Sequence, residues 1–246
     1  MLLYNYKMSI VGNGGKISGN GIISIAPFIL NSDSALLMYY SFEPSTYTNG
    51  TYANLATKFG YGGAVTTGTV SQDSNSIVGS SSAKSLQTGF LKIPDFSVNS
   101  DNFTFSFWIK RTPGGSGIQY PWGIARHNVA WQGAYFPDGS DNLIFPGSNF
   151  VDTSVCSIPT DNQWYHIAIV VRNNATVLYV NNTIVKTSTT ALILKNTFYD
   201  GHALFVTVSS VGVNGRFNGN IDDFRMYARD LSPTEITSLY NYRKNT

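Results

Sequence analysis

The chain has 246 residues, of which 42% are hydrophobic and only 12% are charged. Sixteen basic and 14 acidic residues give a net charge of +2, which excludes a strongly basic nucleic-acid-binding surface and a long acidic tail. No apolar run approaches the roughly 20 residues that cross a bilayer. Glutamate is scarce, whereas Tyr, Phe, Val, Ile and Thr are plentiful, so the composition favours strands over helices.

The N-terminal segment differs in composition from the rest of the chain. A glycine-rich stretch (12–21) precedes the apolar run IISIAPFIL (22–30). We interpret residues 1–34 as an N-terminal arm, extended or docked, and residues 35–246 as one domain. The arm is either a flexible tail with one added strand or an edge strand that docks on a neighbouring subunit. The first residues do not form a secretory signal, and a lone cysteine fits folding in a reducing compartment.

Alternating strands and turns follow the arm. The clearest predicted strands are, in chain order, 36–43, 103–111, 164–172, 176–182 and 220–229. In the second of these, apolar residues alternate with Thr104, Ser106, Trp108 and Lys110, which point to the opposite face. The alternation predicts a set of core-facing side chains: Phe103, Phe105, Phe107, Ile109, Ile167, Ile169 and Val171.

One helix is predicted, over residues 231–242. Ser232 is suited to the N-cap, Pro233 to the first helical position, and Glu235 completes a capping box. About a dozen short strands with frequent turn signals and a single helix favour a sandwich or jelly roll.

Four stretches carry a family resemblance, in the expected order: LLMYYSFE, FTFSFWIK, NQWYHIAIVVRNNATVLYVNNTIV and FNGNIDDFRMYARDLSPTEITSLY. Together they resemble the laminin-G-like jelly-roll group of the concanavalin A-like lectin/glucanase superfamily. The resemblance implies an all-β, two-sheet antiparallel sandwich with one short C-terminal helix. Asn182 stands where the family usually has glycine in a hairpin turn, and asparagine tolerates that left-handed conformation.

Catalytic groups of the superfamily's hydrolases are not found in the sequence. Those enzymes carry an E-x-D-x-x-E strand, and retaining glycoside cleavage needs two carboxyl groups about 5 Å apart. The two glutamates, Glu43 and Glu235, fall in different predicted elements, and the acidic segment 138–141 is predicted to be a hairpin turn. We expect His166 to be structural and Cys156 to be a buried small side chain. The sequence therefore predicts a protein that is not an enzyme.

The resemblance also implies one structural Ca²⁺, held by carboxylates at the end of the first strand and on the last strand. Glu43 and Asp222 occupy those positions, with Asp223 as a substitute ligand. Calcium takes six to eight oxygens, so backbone carbonyls must contribute. The alternative is that Asp222 and Asp223 accept hydrogen bonds from turn amides or pair with Arg225 or Arg229.

A second candidate site lies in residues 118–150, where aromatic side chains alternate with amides and carboxylates. Sugar sites combine flat rings with a few oriented polar groups. The predicted ligand-binding residues are Trp131, Tyr135, Asp138 and Asn142. The alternative is that these aromatics fill the core.

The sequence is compatible with two main functions. The first is a virion-associated structural or surface protein, with or without glycan binding, which contacts neighbouring subunits through residues 1–34. The second is a free glycan-binding lectin or adhesion module, and a carbohydrate-active enzyme is a distant third. The sequence predicts location on a virion or an extracellular surface, with no nucleic-acid partner.

Overall fold

The computed structural model describes residues 30–56, 58–94, 102–126, 129–144, 156–173, 175–189, 201–204, 206–209 and 212–242. In chain order, the strands are β1 (Leu36–Tyr40), β2 (Tyr47–Thr48), β3 (Thr51–Tyr52), β4 (Ala64–Gly68), β5 (Ser71–Asp73), β6 (Ser82–Leu86), β7 (Gly89–Ile93), β8 (Phe103–Arg111), β9 (Gln119–Arg126), β10 (Val129–Phe136), β11 (Asn142–Leu143), β12 (Cys156–Ser157), β13 (Trp164–Arg172), β14 (Ala175–Val180), β15 (Thr183–Ser188), β16 (Gly201–Leu204), β17 (Val206–Ser209), β18 (Gly212–Arg216) and β19 (Asn218–Tyr227). Helix α1 (Pro233–Asn241) follows the last strand, and a 3-10 turn (Pro44–Thr46) follows the first.

Two large antiparallel sheets form the sandwich. Sheet A has eight strands in the order β15-β14-β13-β8-β19-β6-β5, with β1 also paired to β19. Sheet B has seven strands in the order β10-β9-β16-β7-β4-β3-β2. Two small ribbons, β11–β12 and β17–β18, complete the described strands. The predicted fold class, an antiparallel two-sheet β-sandwich with a C-terminal helix, is confirmed.

The core lies between the two sheets and contains the side chains that the alternation predicted. Phe105 is 1% exposed, and its ring centroid lies 4.5 Å from that of Trp122 in sheet B. The predicted core-facing residues of β8 and β13 all belong to this cluster: Phe103, Phe105, Phe107, Ile109, Ile167, Ile169 and Val171. The predicted strand register is therefore confirmed.

A second apolar layer lies on the outer face of sheet A, the face that points away from sheet B. Helix α1 packs there through Ile236 and Leu239 against Tyr39, Val170 and other side chains of β1, β13, β14 and β19. The helix begins as predicted, since Ser232 caps Glu235 and Glu235 reaches back to the Ser232 amide at 2.7 Å. Because the core covers the inner face of β8, this strand is buried on both faces.

The end of the predicted arm belongs to the same layer. Leu30 is 2% exposed within it, and Asp33 pairs with Arg229, which also contacts Glu235 of the helix. Residues 30–34 therefore pack on the sandwich, whereas residues 1–29, with most of the apolar run, lie outside the described residues.

The hairpin between β14 and β15 turns through two asparagines. Asn181 and Asn182 have φ angles of 48° and 64°, which is the left-handed region that a tight hairpin needs. Asparagine adopts this region at low cost, so the turn keeps its form with Asn182 in place of glycine.

Candidate functional site

Glu43 and Asp222, the two predicted calcium ligands, both bind one loop, residues 77–81. One oxygen of Asp222 accepts the amide hydrogens of Ile77 and Val78, each at 3.0 Å. The Glu43 carboxylate accepts the amide of Ser80 at 2.9 Å and its hydroxyl at 2.5 Å. Two carboxylates from opposite ends of the sequence thus hold consecutive parts of one loop, an arrangement that we call the carboxylate clasp.

The clasp has a tight fit at Gly79. This glycine has a φ of 59°, and a Cβ atom there would collide with the Glu43 carboxylate.

Burial raises the pKa of Asp222 well above that of an exposed aspartate. The amide hydrogen bonds from Val78 and Ile77 oppose that rise, and the neighbouring Asp223 carboxylate adds to it.

Asp223, the third predicted ligand, lies in a different environment. Its carboxylate accepts a hydrogen bond from Arg225 at 2.8 Å, and both side chains are almost completely buried. The Arg225 guanidinium lies 4.4 Å from the ring centroid of Tyr39 and 5.1 Å from that of Tyr242. The structure therefore brings Glu43 and Asp222 to one loop and places Asp223 in an ion pair. Within the described residues, no group of three or more His, Cys, Asp or Glu side chains is placed to hold a metal.

His166 lies beneath the C-terminal end of helix α1. Its Nε2 is 2.9 Å from the Ser106 hydroxyl, and its ring contacts those of Trp108 and Tyr240. Complete burial lowers the pKa of His166 to about 3, and the positive charge of Arg225 adds to the effect. This histidine is neutral and structural.

Cys156 is half-buried and packs against the core, where burial raises the pKa of its thiol to about 12. Such a thiol carries almost no thiolate at neutral pH, so it is a packing group.

The acidic segment 138–141 forms the predicted turn. Asp138 accepts the Gly117 amide at 2.8 Å, and Asp141 pairs with the buried Arg111 at 2.7 Å. Arg111 also donates to the carbonyl of Ser140 and lies 4.0 Å from the ring centroid of Phe136. These contacts fix the turn and leave Asp138 and Asn142 exposed at its surface.

Tyr135 lies on the outer face of sheet B, the face that points away from sheet A. Its neighbours Ala134 and Phe136 enter the core, so its own side chain lies on the opposite side, half-buried. The ring centroid of Tyr120 is 5.6 Å away. Trp131, the other predicted aromatic ligand, has a side chain outside the described residues.

Phe90 in strand β7 alternates with the buried Leu91, which assigns it to the same outer face; it is half-buried and also packs against the core cluster. Ala134, Trp122, Leu204 and Leu91 form one register row across four strands, and Tyr135 and Phe90 each lie one residue from an end of that row, on the same side of it. They lie roughly 14 Å apart, since neighbouring strands are about 4.8 Å apart. Thr67 stands opposite Phe90, and Lys92 stands opposite the exposed Val65. We call this surface the outer face of sheet B.

The outer face of sheet B was only partly predicted from sequence. Tyr135 was named, but Phe90 and Lys92 lie 40 or more residues away and join it only through β16 and β9. Their signal in the sequence is the alternation of FLKI, in which Leu91 and Ile93 enter the core.

The two packed antiparallel sheets and the C-terminal helix define a jelly-roll β-sandwich. A family model described as the concanavalin A-like lectin/glucanases superfamily, of the laminin-G-like type, matches residues 85–237. The chain belongs to this family. A comparison with curated protein sequences found no match.

Solved structures share the fold. Domain 4 of AbnA, a GH43 extracellular arabinanase from Geobacillus stearothermophilus solved in complex with arabinotriose, is 23% identical with a TM-score of 0.68, covering 84% of this chain and 98% of that domain. A sialidase from Trypanosoma rangeli is 11% identical with a TM-score of 0.61, covering 85% of this chain but only 32% of the sialidase. The ligand binding domain of Botulinum neurotoxin serotype D, in complex with N-acetylneuraminic acid, is 14% identical with a TM-score of 0.57, covering 84% of this chain and 50% of that one.

Within the part of the chain that the structure describes, no helix is long and apolar enough to cross a membrane.

Proposed function

We propose that this chain is a non-catalytic carbohydrate-binding module. The observation that carries the proposal is the outer face of sheet B, where Tyr135 and Phe90 each lie one residue from an end of one register row, with Thr67 and Lys92 beside Phe90. Aromatic rings stack on the C–H faces of sugars, while Thr67 and Lys92 offer hydrogen bonds to hydroxyls. A separation of roughly 14 Å across three strand steps suits an oligosaccharide better than one sugar ring.

The relatives support the class of ligand. The arabinanase domain, of which the match covers 98%, was solved in complex with arabinotriose. The toxin ligand binding domain, of which the match covers 50%, was solved in complex with N-acetylneuraminic acid. The two glutamates of this chain support the absence of catalysis. Glu43 holds the 77–81 loop, and Glu235 caps helix α1 and pairs with Arg229. A glycosidase pair needs two carboxyl groups facing one another across a bound sugar.

A glycan array, followed by titration calorimetry with the best ligand, tests the proposal. We expect saturable binding that Tyr135→Ala weakens about tenfold. This is about 1.4 kcal/mol, the lower part of the roughly 1–3 kcal/mol that an aromatic side chain contributes when a nucleic-acid base stacks on it. Phe59→Ala is the control, since Phe59 is an exposed aromatic on a loop, 43% accessible. Chromatography of the ligand after incubation should show no cleavage. Hydrolysis of the glycan, or equal affinity of Tyr135→Ala and wild type, contradicts the proposal.

We further propose that one Ca²⁺ binds at the carboxylate clasp. The candidate metal ligands at the clasp are all oxygens, from the Glu43 and Asp222 carboxylates and the Ser81 hydroxyl. The Ser81 hydroxyl is buried and has no hydrogen-bond partner among the described residues. Calcium prefers oxygen ligands of this kind, and loop carbonyls would have to complete the six to eight that it takes. A bound cation would also stabilise the ionised form of Asp222, which burial disfavours.

Assembly into a virion through residues 1–34 stays a second proposal, supported only by the apolar run at 22–30. Leu30, its last residue, packs on the sandwich itself. Deleting residues 1–29 while keeping Leu30 tests it by light scattering. An oligomer that becomes a monomer supports the assembly role, and a monomer both before and after the deletion contradicts it.

A further inference from the structure

A group of polar side chains lies on the half of the outer face of sheet A that helix α1 does not cover. We call it the outer patch; it consists of Asp73, Asn75, Lys84, Lys110, Trp164 and Asn220. Four of these residues form one register row, in which Trp164 stands opposite Lys110, Lys110 opposite Asn220, and Asn220 opposite Lys84. Directly opposed residues of antiparallel strands share a face, so these four side chains lie side by side.

The contacts within the outer patch hold its aromatic ring in place. The indole Nε1 of Trp164 donates to Asn75 Oδ1 at 3.1 Å, and the Lys110 ammonium lies 5.6 Å from the indole centroid. The backbone N–H of Asn75 in turn donates to Asp73 Oδ1 at 2.8 Å. A ring fixed in this way offers a flat surface without a large entropy cost of ordering on binding.

Lys110 is the unusual member of the outer patch. It is only 6% exposed, although lysine is almost never so buried without a partner of opposite charge. The nearby Asp73 carboxylate forms its salt bridge with Lys84, at 2.8 Å. Burial lowers the pKa of Lys110, and Asp73 opposes that fall. Among the described residues, no carboxylate lies within salt-bridge distance of the Lys110 ammonium.

Asn220 stands opposite Lys110 and is a buried member of the outer patch. It is completely buried, and its amide nitrogen donates to the Ser82 hydroxyl at 3.0 Å. Its Oδ1 has no hydrogen-bond partner among the described residues. This oxygen is buried away from solvent, so Asn220 supports Lys110 and Lys84 from beneath the surface of the patch.

The outer patch therefore has two ammonium groups, one carboxylate and a fixed indole. We propose that it is a second saccharide site, and that it takes an anionic sugar residue bearing a carboxylate or a sulfate ester. The anion pairs with Lys110 and Lys84, and the sugar ring lies against Trp164. This inference rests on the proposed carbohydrate-binding function and adds a charge preference and a location to it.

An array of matched glycans tests the inference, with each neutral glycan beside its sialylated and its sulfated counterpart. Charged members should bind more tightly than their neutral counterparts, and Lys110→Met should weaken charged binding about tenfold, because a hydrogen bond to a charged group is lost. Methionine keeps the volume of the buried stem. A preference for sialylated glycans alone identifies the carboxylate as the recognised group, and a preference for sulfated glycans alone identifies the sulfate ester.

Two further variants make the test specific. Lys58→Met is the matched control, because the Lys58 ammonium also lies 5.6 Å from an aromatic centroid, that of Phe59, but is exposed. It should leave binding unchanged. Lys84→Met removes the more exposed lysine of the patch. Its effect on charged-glycan binding tests the site independently if Lys110→Met lowers the melting temperature.

The outcomes separate this inference from the proposed function. If neutral glycans bind in a Tyr135-dependent way and charged glycans are not preferred, the outer patch is not a site for anionic sugars. The proposed carbohydrate-binding function is then unaffected. Preference for charged glycans that survives both lysine variants also overturns it. Loss of charged binding in these variants, with neutral binding retained, supports two separate sites.

Discussion

Asp222→Ala tests the carboxylate clasp, because this one side chain accepts three backbone amides. They belong to Ile77 and Val78, each at 3.0 Å, and to Asp223 at 2.8 Å. The amides of Val78 and Asp223 are in buried residues, so water cannot readily replace the lost acceptor. Each buried amide left without a partner costs about 2 kcal/mol, which gives a loss of about 4 kcal/mol in the free energy of unfolding. That is a large share of the roughly 5–15 kcal/mol that stabilises a typical domain.

Urea unfolding followed by tryptophan fluorescence measures this loss, at pH 7 and with chelator present. Asp138→Ala is the control, because Asp138 is exposed and accepts a single amide, from Gly117. It should cost about 1 kcal/mol or less, since water can solvate the freed amide. If Asp222→Ala costs no more than Asp138→Ala, the loop is held by other contacts and the clasp is not a stabilising element. Repeating the wild-type measurement in excess calcium tests the proposed ion, because an ion that binds only the folded state raises the unfolding midpoint. An unchanged midpoint argues against it.

Three further variants test the fold and its ionisable groups. Phe105→Ala should lower the free energy of unfolding by about 4 kcal/mol, since its ring is buried between Phe103 and Trp122; a loss below about 1 kcal/mol would contradict the register. Ser232→Ala should cost about 1 kcal/mol by removing the N-cap, and unchanged denaturant midpoints would show that the cap is dispensable. His166→Gln should reduce the loss of stability between pH 7 and pH 5. The folded pKa of His166, about 3, lies below the unfolded value of 6.5, so the unfolded state binds the extra proton in this window and acid destabilises the wild type by about 2 kcal/mol at pH 5. Parallel pH profiles of the two proteins would exclude this role.

Local patterns in the sequence predicted the inner layer of the fold well. The alternation in β8 identified the core face, and Ser232, Pro233 and Glu235 identified the start of the helix. These features depend on residues a few positions apart. The sequence did not show that helix α1 packs on β8, where the rings of Tyr240 and Trp108 stack, because that contact joins residues more than 100 positions apart.

The candidate sites were harder to predict for the same reason. Trp164 and Lys110 are 54 positions apart and become neighbours only when β13 pairs with β8. The sequence placed Glu43 and Asp222 near one another through a family pattern, but it gave no sign that both bind the 77–81 loop. The glycine at position 79 is required because a side chain there would collide with Glu43, but this requirement is visible only in the structure.

A crystal structure with the best ligand from the glycan array locates the saccharide site on the sandwich. We expect an intact oligosaccharide on the outer face of sheet B, with sugar rings against Tyr135 and Phe90. A glycan bound elsewhere with this face empty, or a cleaved product, would show that the module does not bind saccharides as proposed.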